Sequence, residues 1–238
     1  ALILRRRTMR RTFLAICMMF LLGVAPALAQ QVAPTATGVA LDAAWKVKIY
    51  DLARKTFVHP AWGWQHSQRN YLLGVQLARG DGLDIDTDVL FAAAFLHDMS
   101  AFMPCTDAKM EHGDCAAQQS GKILRDAGFP MSKLGAVQKA EHGHMFYTDP
   151  GQTPEAIVLH DADSLDFLGS IGAARLLSLT GAKAASFAPA VKDLRTFLHD
   201  IPARLKTKTG KQIGVERASE LKRFLDALDK ESLAGRRG

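Results

Sequence analysis

Cysteine is scarce in this chain of 238 residues: there are three, Cys17, Cys105 and Cys115. That number excludes a disulfide-dense scaffold and a multi-cysteine zinc or iron–sulfur framework. Alternating apolar and polar runs rich in β-branched residues are missing, which argues against a sheet. Internal repeats and low-complexity tracts are missing as well. An excess of one charge sign is nearly lacking outside the first residues. The whole chain holds 30 Lys plus Arg against 24 Asp plus Glu. Five of those bases, Arg5, Arg6, Arg7, Arg10 and Arg11, fall within residues 1–29, which contain no acid, so 25 bases face 24 acids in the remainder. The basic balance is therefore local and gives no argument for a nucleic-acid partner. After Val24 no apolar run approaches the ~20 residues that a membrane-spanning helix needs.

What is present begins with a leader-like segment. Arginines up to Arg11 precede the apolar run Phe13 to Val24, then Pro26 and the small-residue site Ala27-Leu28-Ala29. This is the pattern of a cleaved secretory signal, and Arg10-Arg11-Thr12-Phe13-Leu14 also resembles a twin-arginine signal. The expectation is a signal peptide over 1–29, a periplasmic or secreted protein, and no stable membrane anchor after cleavage. Cys105 and Cys115 then form a pair in an oxidising compartment. A bridge between them would close a short loop worth ~3 kcal/mol by chain entropy.

The chain is 48% hydrophobic, enough for a sizeable core, and the body after residue 29 reads most simply as one domain. Its apolar residues recur at helical spacing. Helices are predicted near 40–58, 63–79, 86–99, 109–127, 131–146, 154–180, 187–204 and 214–232. His59-Pro60, Gly80-Asp81-Gly82, Gly128-Phe129-Pro130 and Asp149-Pro150-Gly151 punctuate them. The expectation is an all-α domain over 41–232, a flexible arm over 30–40 and a short tail over 233–238.

Several polar residues occupy apolar stripes. His97 follows Leu90, Ala93 and Ala94 on one helical face, with Asp98 beside it at the end of a buried helix. Asp161 sits among Ile157, Leu165 and Leu168, and His66 shares a face with Leu73 and Leu77. Unpaired charges there would cost several kcal/mol. Two imidazoles and two carboxylates from three helices satisfy one another best around a divalent cation, and the mixed set suits Mn, Fe, Ni, Zn or Mg. Taken singly, each has a plainer role as a core histidine or a helix cap. His112 opens one helix, and His144 rides the apolar stripe of the next. His142 lies off that stripe and ranks behind it. One of these two with His112 could hold a second metal bridged by Asp98, or contact a phosphate.

The order His66, His97-Asp98, Asp161 resembles that of the HD-domain metal-dependent phosphohydrolases. WGWQHSQRN is similar to the family's Trp-x-His-x-x-Arg opening, and AAAFLHDM to its Ala-x-Leu-His-Asp helix. HDADSLDFLGSIGAAR and the tail LKTKTGKQIGVERASELKRFLDAL resemble a subgroup of small bacterial HD hydrolases, so the likeness covers about residues 45–230. It implies an HD-domain helical bundle, metal ligands at His66, His97, Asp98 and Asp161, and one or two divalent ions. It also implies a small phosphorylated substrate, in some members a nucleotide, hydrolysed by a water that the metal makes acidic. Asp98 is the first catalytic candidate. Arg69, three residues after His66, would reach a phosphate or form an ion pair. Lys109 and Lys122 flank the His112 helix, with Lys109 the one expected at the site. Asp163 and Asp166 are expected to cap or pair locally. Arg175, ~21 Å from Asp161 on a straight helix, is expected to be structural. Glu141 and Asp107 are candidate acids or bases. The same order, with His112 and His144 added, also resembles HD-fold di-iron oxygenases, the alternative reading.

Overall fold

The computed structural model describes residues 35–181 and 186–232. Those residues form nine α-helices and no strands, an all-α architecture. The helices are α1 (Ala44–Thr56), α2 (Trp64–Asp81), α3 (Thr87–Leu96), α4 (His112–Ala127), α5 (Leu134–His142), α6 (Pro154–Leu165), α7 (Gly169–Ser178), α8 (Ala188–Asp200) and α9 (Lys208–Glu231). Short 3-10 turns cover Met99–Ala101 and Met131–Lys133.

α3 is the axis of the bundle. Every residue from Val89 to Leu96 is buried, as expected of a helix apolar on all sides. Its start is fixed by Asp86, whose carboxylate accepts from the backbone N–H of Asp88 at 3.0 Å and Val89 at 3.4 Å. Helices α1, α2, α5 and α6 surround it, while α7, α8 and α9 pack on one another beside α6. Trp45 fills the α1 side, edge-on to both Phe91 and Phe129.

The predicted helix over 154–180 is two helices. α6 stops at Leu165, and Gly169, at φ +68°, begins α7 in a new direction. A side chain at Gly169 would be strained by that φ and would crowd Arg217 and Glu220. The last helix begins earlier than predicted. Thr207 caps it, its hydroxyl accepting from Gly210 N at 2.9 Å. Within the arm expected over 30–40, residues 35–40 belong to the fold: Val39 is buried, and Thr37 donates to Gln68.

The expected export signal needs correction. Residues 1–29 lie outside the described residues, and among the described residues no helix is long and apolar enough to cross a membrane. The signal peptide and the periplasmic location thus find no support in the structure and are set aside. The 233–238 tail also lies outside the described residues. Cys105 and Cys115 are joined by a disulfide that ties the Met99–Cys115 loop to α4.

Candidate metal centre

Three helix ends meet at one point. His66 lies in the first turn of α2, His97 and Asp98 end α3, and Asp163 lies in the last turn of α6. His66 Nε2 stands 3.0 Å from Asp163 Oδ1, 3.4 Å from Asp98 Oδ2 and 3.2 Å from His97 Nε2. His97 Nε2 is 3.3 Å from Asp98 Oδ2. Donors bound at ~2.1 Å to one ion stand ~3 Å apart, so the His66, His97 and Asp98 atoms have the spacing of a shared cation's ligands, with Asp163 Oδ1 adjoining them 3.0 Å from His66 and 3.8 Å from His97.

A second cluster adjoins the first. His112, the first residue of α4, and His144, just beyond α5, bring their Nε2 atoms to 3.0 Å. Both face the other oxygen of Asp98, Oδ1, at 3.7 and 3.9 Å. Asp98 therefore offers one oxygen to each cluster.

The second nitrogen of every imidazole is already engaged. His66 Nδ1 meets Asp166 Oδ2 at 2.7 Å, and His97 Nδ1 meets the Ala94 carbonyl at 2.9 Å. His112 Nδ1 meets Glu111 Oε1 at 2.8 Å, and His144 Nδ1 meets the Glu141 carbonyl at 2.5 Å. Each Nδ1–H donates outward, which leaves each Nε2 lone pair aimed inward. Such anchoring is how proteins orient metal-binding histidines. Facing lone pairs at 3.0–3.2 Å repel unless a proton or a cation stands between them. The donor set therefore fits one or two divalent cations, and its imidazole content suits Mn, Fe, Ni or Zn better than Mg.

The electrostatics agree. Burial would lower the His66 pKa, as would the Arg175 charge, but hydrogen bonds to Asp163, Asp166 and Asp98 raise it to about 9. His66 thus keeps a proton where a cation would otherwise sit. Burial would raise Asp98 and Asp163, yet the surrounding imidazoles hold both below the usual carboxylate range. Burial first, then the charge of His97, pushes His144 down to about 4, so it offers a bare nitrogen at neutral pH.

The structure relocates several expected roles. Asp161 is not at the cluster. Its Oδ2 accepts from Thr207 N and Thr207 Oγ1, both at 2.7 Å, and from Lys206 N at 3.0 Å. Asp163, expected to pair locally, stands beside His66 instead, because two residues rotate the helix by about 200°. Arg69 does not reach into the centre. Its Nε and Nη2 clasp Asp166 at 2.8–3.1 Å, the ion-pair reading. Arg175 reaches the same carboxylate, with Nη1 3.0 Å from Asp166 Oδ2, because the break before α7 folds it back. The straight-helix separation from Asp161 does not apply. Burial would raise Asp166, but hydrogen bonds from His66 and Arg69 and the Arg175 charge hold it far below the carboxylate range.

His142 is exposed and pairs with Asp114, away from both clusters. Lys109 is exposed in the Cys105–Cys115 loop and does not line the cavity described below. Lys122 pairs with Asp126 on the surface. Glu141 is buried against Ser120, and Asp107 accepts from Lys109 N in its own loop. Sequence reasoning missed Asp163, Asp166 and Glu111. The spacing of Asp163 from Asp166, one helical turn, was the available signal.

A cavity of about 670 Å³ opens onto Asp98, Asp163 and His112. Its far wall includes Trp62, Phe167, Leu176, Leu179 and Phe197, and the disulfide forms part of its rim.

The fold and cluster define an all-α domain with His/Asp groups able to hold a metal ion, and residues 63–168 match the family model for the HD domain. Solved structures share the architecture well beyond that segment. YpgQ of Bacillus subtilis in complex with ADP is 19% identical over 78% of this chain and 97% of its own, with a TM-score of 0.59. An HD-superfamily hydrolase of Bacillus thuringiensis is 20% identical over 80% and 95%, with a TM-score of 0.58. A predicted HD-superfamily hydrolase from an uncultured Thermotogales bacterium is 22% identical over 78% and 91%, with a TM-score of 0.56. At these identities the shared property is the fold. No curated relative matches this chain by sequence.

Proposed function

We propose that the chain is a divalent-metal-dependent phosphohydrolase acting on a small phosphate ester or anhydride. The observation that carries this reading is the pair of donor clusters sharing Asp98, with each Nε2 presented inward by an anchored Nδ1. When bound, divalent cations supply charge that polarises a phosphoryl oxygen and makes a water acidic enough to attack at neutral pH. The protein's part is positional. His66, His97, Asp98 and Asp163 would hold one cation, and Asp98, His112 and His144 a second. Asp166, steadied by Arg69 and Arg175, keeps the His66 ring turned inward. The apolar walls of the cavity hold the organic part of the substrate and thin out bulk water. In the reaction a water oxygen bonds to phosphorus and the bridging P–O bond breaks. Its electron pair leaves on the departing oxygen, which takes a proton from the attacking water.

The test is metal analysis of the purified protein, followed by phosphate release from phosphomonoesters and nucleotides, with Asp98→Ala in parallel. ADP belongs among the substrates because it is bound in the YpgQ complex. Metal-dependent release abolished by Asp98→Ala supports the reading. Consumption of O2 with iron and no release of phosphate would transfer the centre to the oxygenase class, which the four imidazoles would also serve.

A further inference from the structure

The cavity beside the metal centre has an unusual charge for a phosphate-handling site: among the described residues, none of its lining residues is a lysine or an arginine. The charged groups facing it, apart from the ligands Asp98, Asp163 and His112, are Asp107 and Asp193, both acids. The guanidiniums nearest the centre are committed elsewhere, and Arg217 donates to the Leu165 carbonyl while Arg204 lies over the Phe146 ring. Arg69 and Arg175 both bind Asp166, and Arg175 also lies over the Phe167 ring at 4.5 Å. The rest of the wall is mostly apolar and includes the three aromatic rings of Trp62, Phe167 and Phe197. Phe167 and Phe197 pack together with ring centres 4.8 Å apart.

We infer that the substrate is a phosphomonoester with an apolar, aromatic or alkyl organic part, and that nucleoside di- and triphosphates are disfavoured. This rests on the phosphohydrolase reading and narrows it. Cations held at Asp98 would neutralise one phosphate dianion. Each further phosphate of a nucleotide would project into the cavity, meet Asp107 and Asp193, and find no cationic side chain to offset its desolvation. An aryl group there gains burial against three aromatic rings instead. Hydrolysis converts the ester and water to an apolar alcohol or phenol and inorganic phosphate, with the P–O bond to the organic group broken.

The experiment compares kcat/KM of the metal-loaded protein on 1-naphthyl phosphate, glucose 6-phosphate, ADP and ATP. Calorimetry adds a binding readout independent of turnover, using 1-naphthylmethylphosphonate and a methylene-bridged ADP analogue. The expected order places 1-naphthyl phosphate at least ~10-fold above ADP in kcat/KM, with the phosphonate binding correspondingly tighter than the nucleotide analogue. The exposed pair Asp107→Lys and Asp193→Lys, combined, should raise kcat/KM for ADP by ~10-fold relative to 1-naphthyl phosphate. If wild type turns over ADP as well as 1-naphthyl phosphate, or if the double variant leaves their ratio unchanged, the substrate class is wrong while the hydrolase reading stands. Release of phosphate from none of the four esters overturns both.

Discussion

Asp161 and Thr207 are joined twice: the backbone N–H and the hydroxyl of Thr207 both donate to Asp161 Oδ2 at 2.7 Å. This fastens the start of α9 to α6, and Gly210 packs so close that a Cβ there would lie 2.8 Å from the same carboxylate oxygen. Two residues further along, Asp163 turns to His66 at 3.0 Å. Two neighbouring acids on one helix thus have separable jobs, and substitution should separate them. Asp163→Asn should lower metal content and metal-dependent activity by at least ~10-fold with the fold intact. Asp161→Asn should keep the metal while losing ~1–3 kcal/mol of stability through its orphaned donors. Metal analysis and urea unfolding of the two variants check this, and metal loss in Asp161→Asn with none in Asp163→Asn would reverse the assignment.

Why the sequence pointed to the wrong aspartate is instructive. His66, His97 and Asp98 were legible because each is a polar residue on an otherwise apolar helical stripe. In α6 that contrast vanishes, since Asp161, Asp163 and Asp166 are all buried. Only tertiary contacts tell them apart: Thr207 claims one, His66 the second, and Arg69, Arg175 and His66 together the third. The helix punctuation was readable where Gly or Pro stood in a cluster of turn residues, as at Gly80-Asp81-Gly82 and Asp149-Pro150-Gly151. It failed at Asp166 to Leu168, where Gly169 was the lone signal and looked like an interior glycine. The shared role of Asp98 depends on which oxygen faces which cluster, and spacing carries no such information.

The Arg69–Asp166–His66 chain makes a second prediction. Arg69 touches no group in the centre directly; it positions Asp166, which orients His66. Arg69→Ala should weaken metal affinity by ~10-fold or more, and Arg69→Lys should restore part of it, because a point charge replaces a fork. A titration monitored by calorimetry reads this directly. Unchanged affinity in Arg69→Ala would assign the pair to the fold alone, since the Asp166 carboxylate would then be held sufficiently by Arg175.

The disulfide offers a third. Cys105 and Cys115 close a loop of sequence separation 10 that carries Asp107 and Met110 along the cavity rim. Replacing both cysteines with serine should cost ~3 kcal/mol, as expected for a short closed loop. The cavity wall would loosen at the same time, so KM should rise more than kcat falls. Equal KM values for the variant and the parent would detach the loop from substrate binding.

Glu141 adds a pH dependence of its own to stability. It is fully buried, its Oε2 accepts from Ser120 Oγ at 2.7 Å, and its other oxygen is without a partner. Burial pushes its pKa up to about 8, against which the Ser120 hydrogen bond works only weakly. A folded-state pKa above the unfolded value of 4.5 means that the folded protein keeps a proton the unfolded chain has released. The associated stability is complete below the unfolded pKa and is lost as pH rises towards about 8, by at most ~1.4 kcal/mol per pH unit. Glu141→Gln carries no such proton, so its stability should fall less between pH 5 and pH 8 than that of the parent, by roughly the amount that slope implies. Urea midpoints measured across that range for both proteins decide the matter. Parallel pH profiles would mean that Glu141 is ionised in the folded state, with a cation near His144 or a water at Oε1 compensating its charge.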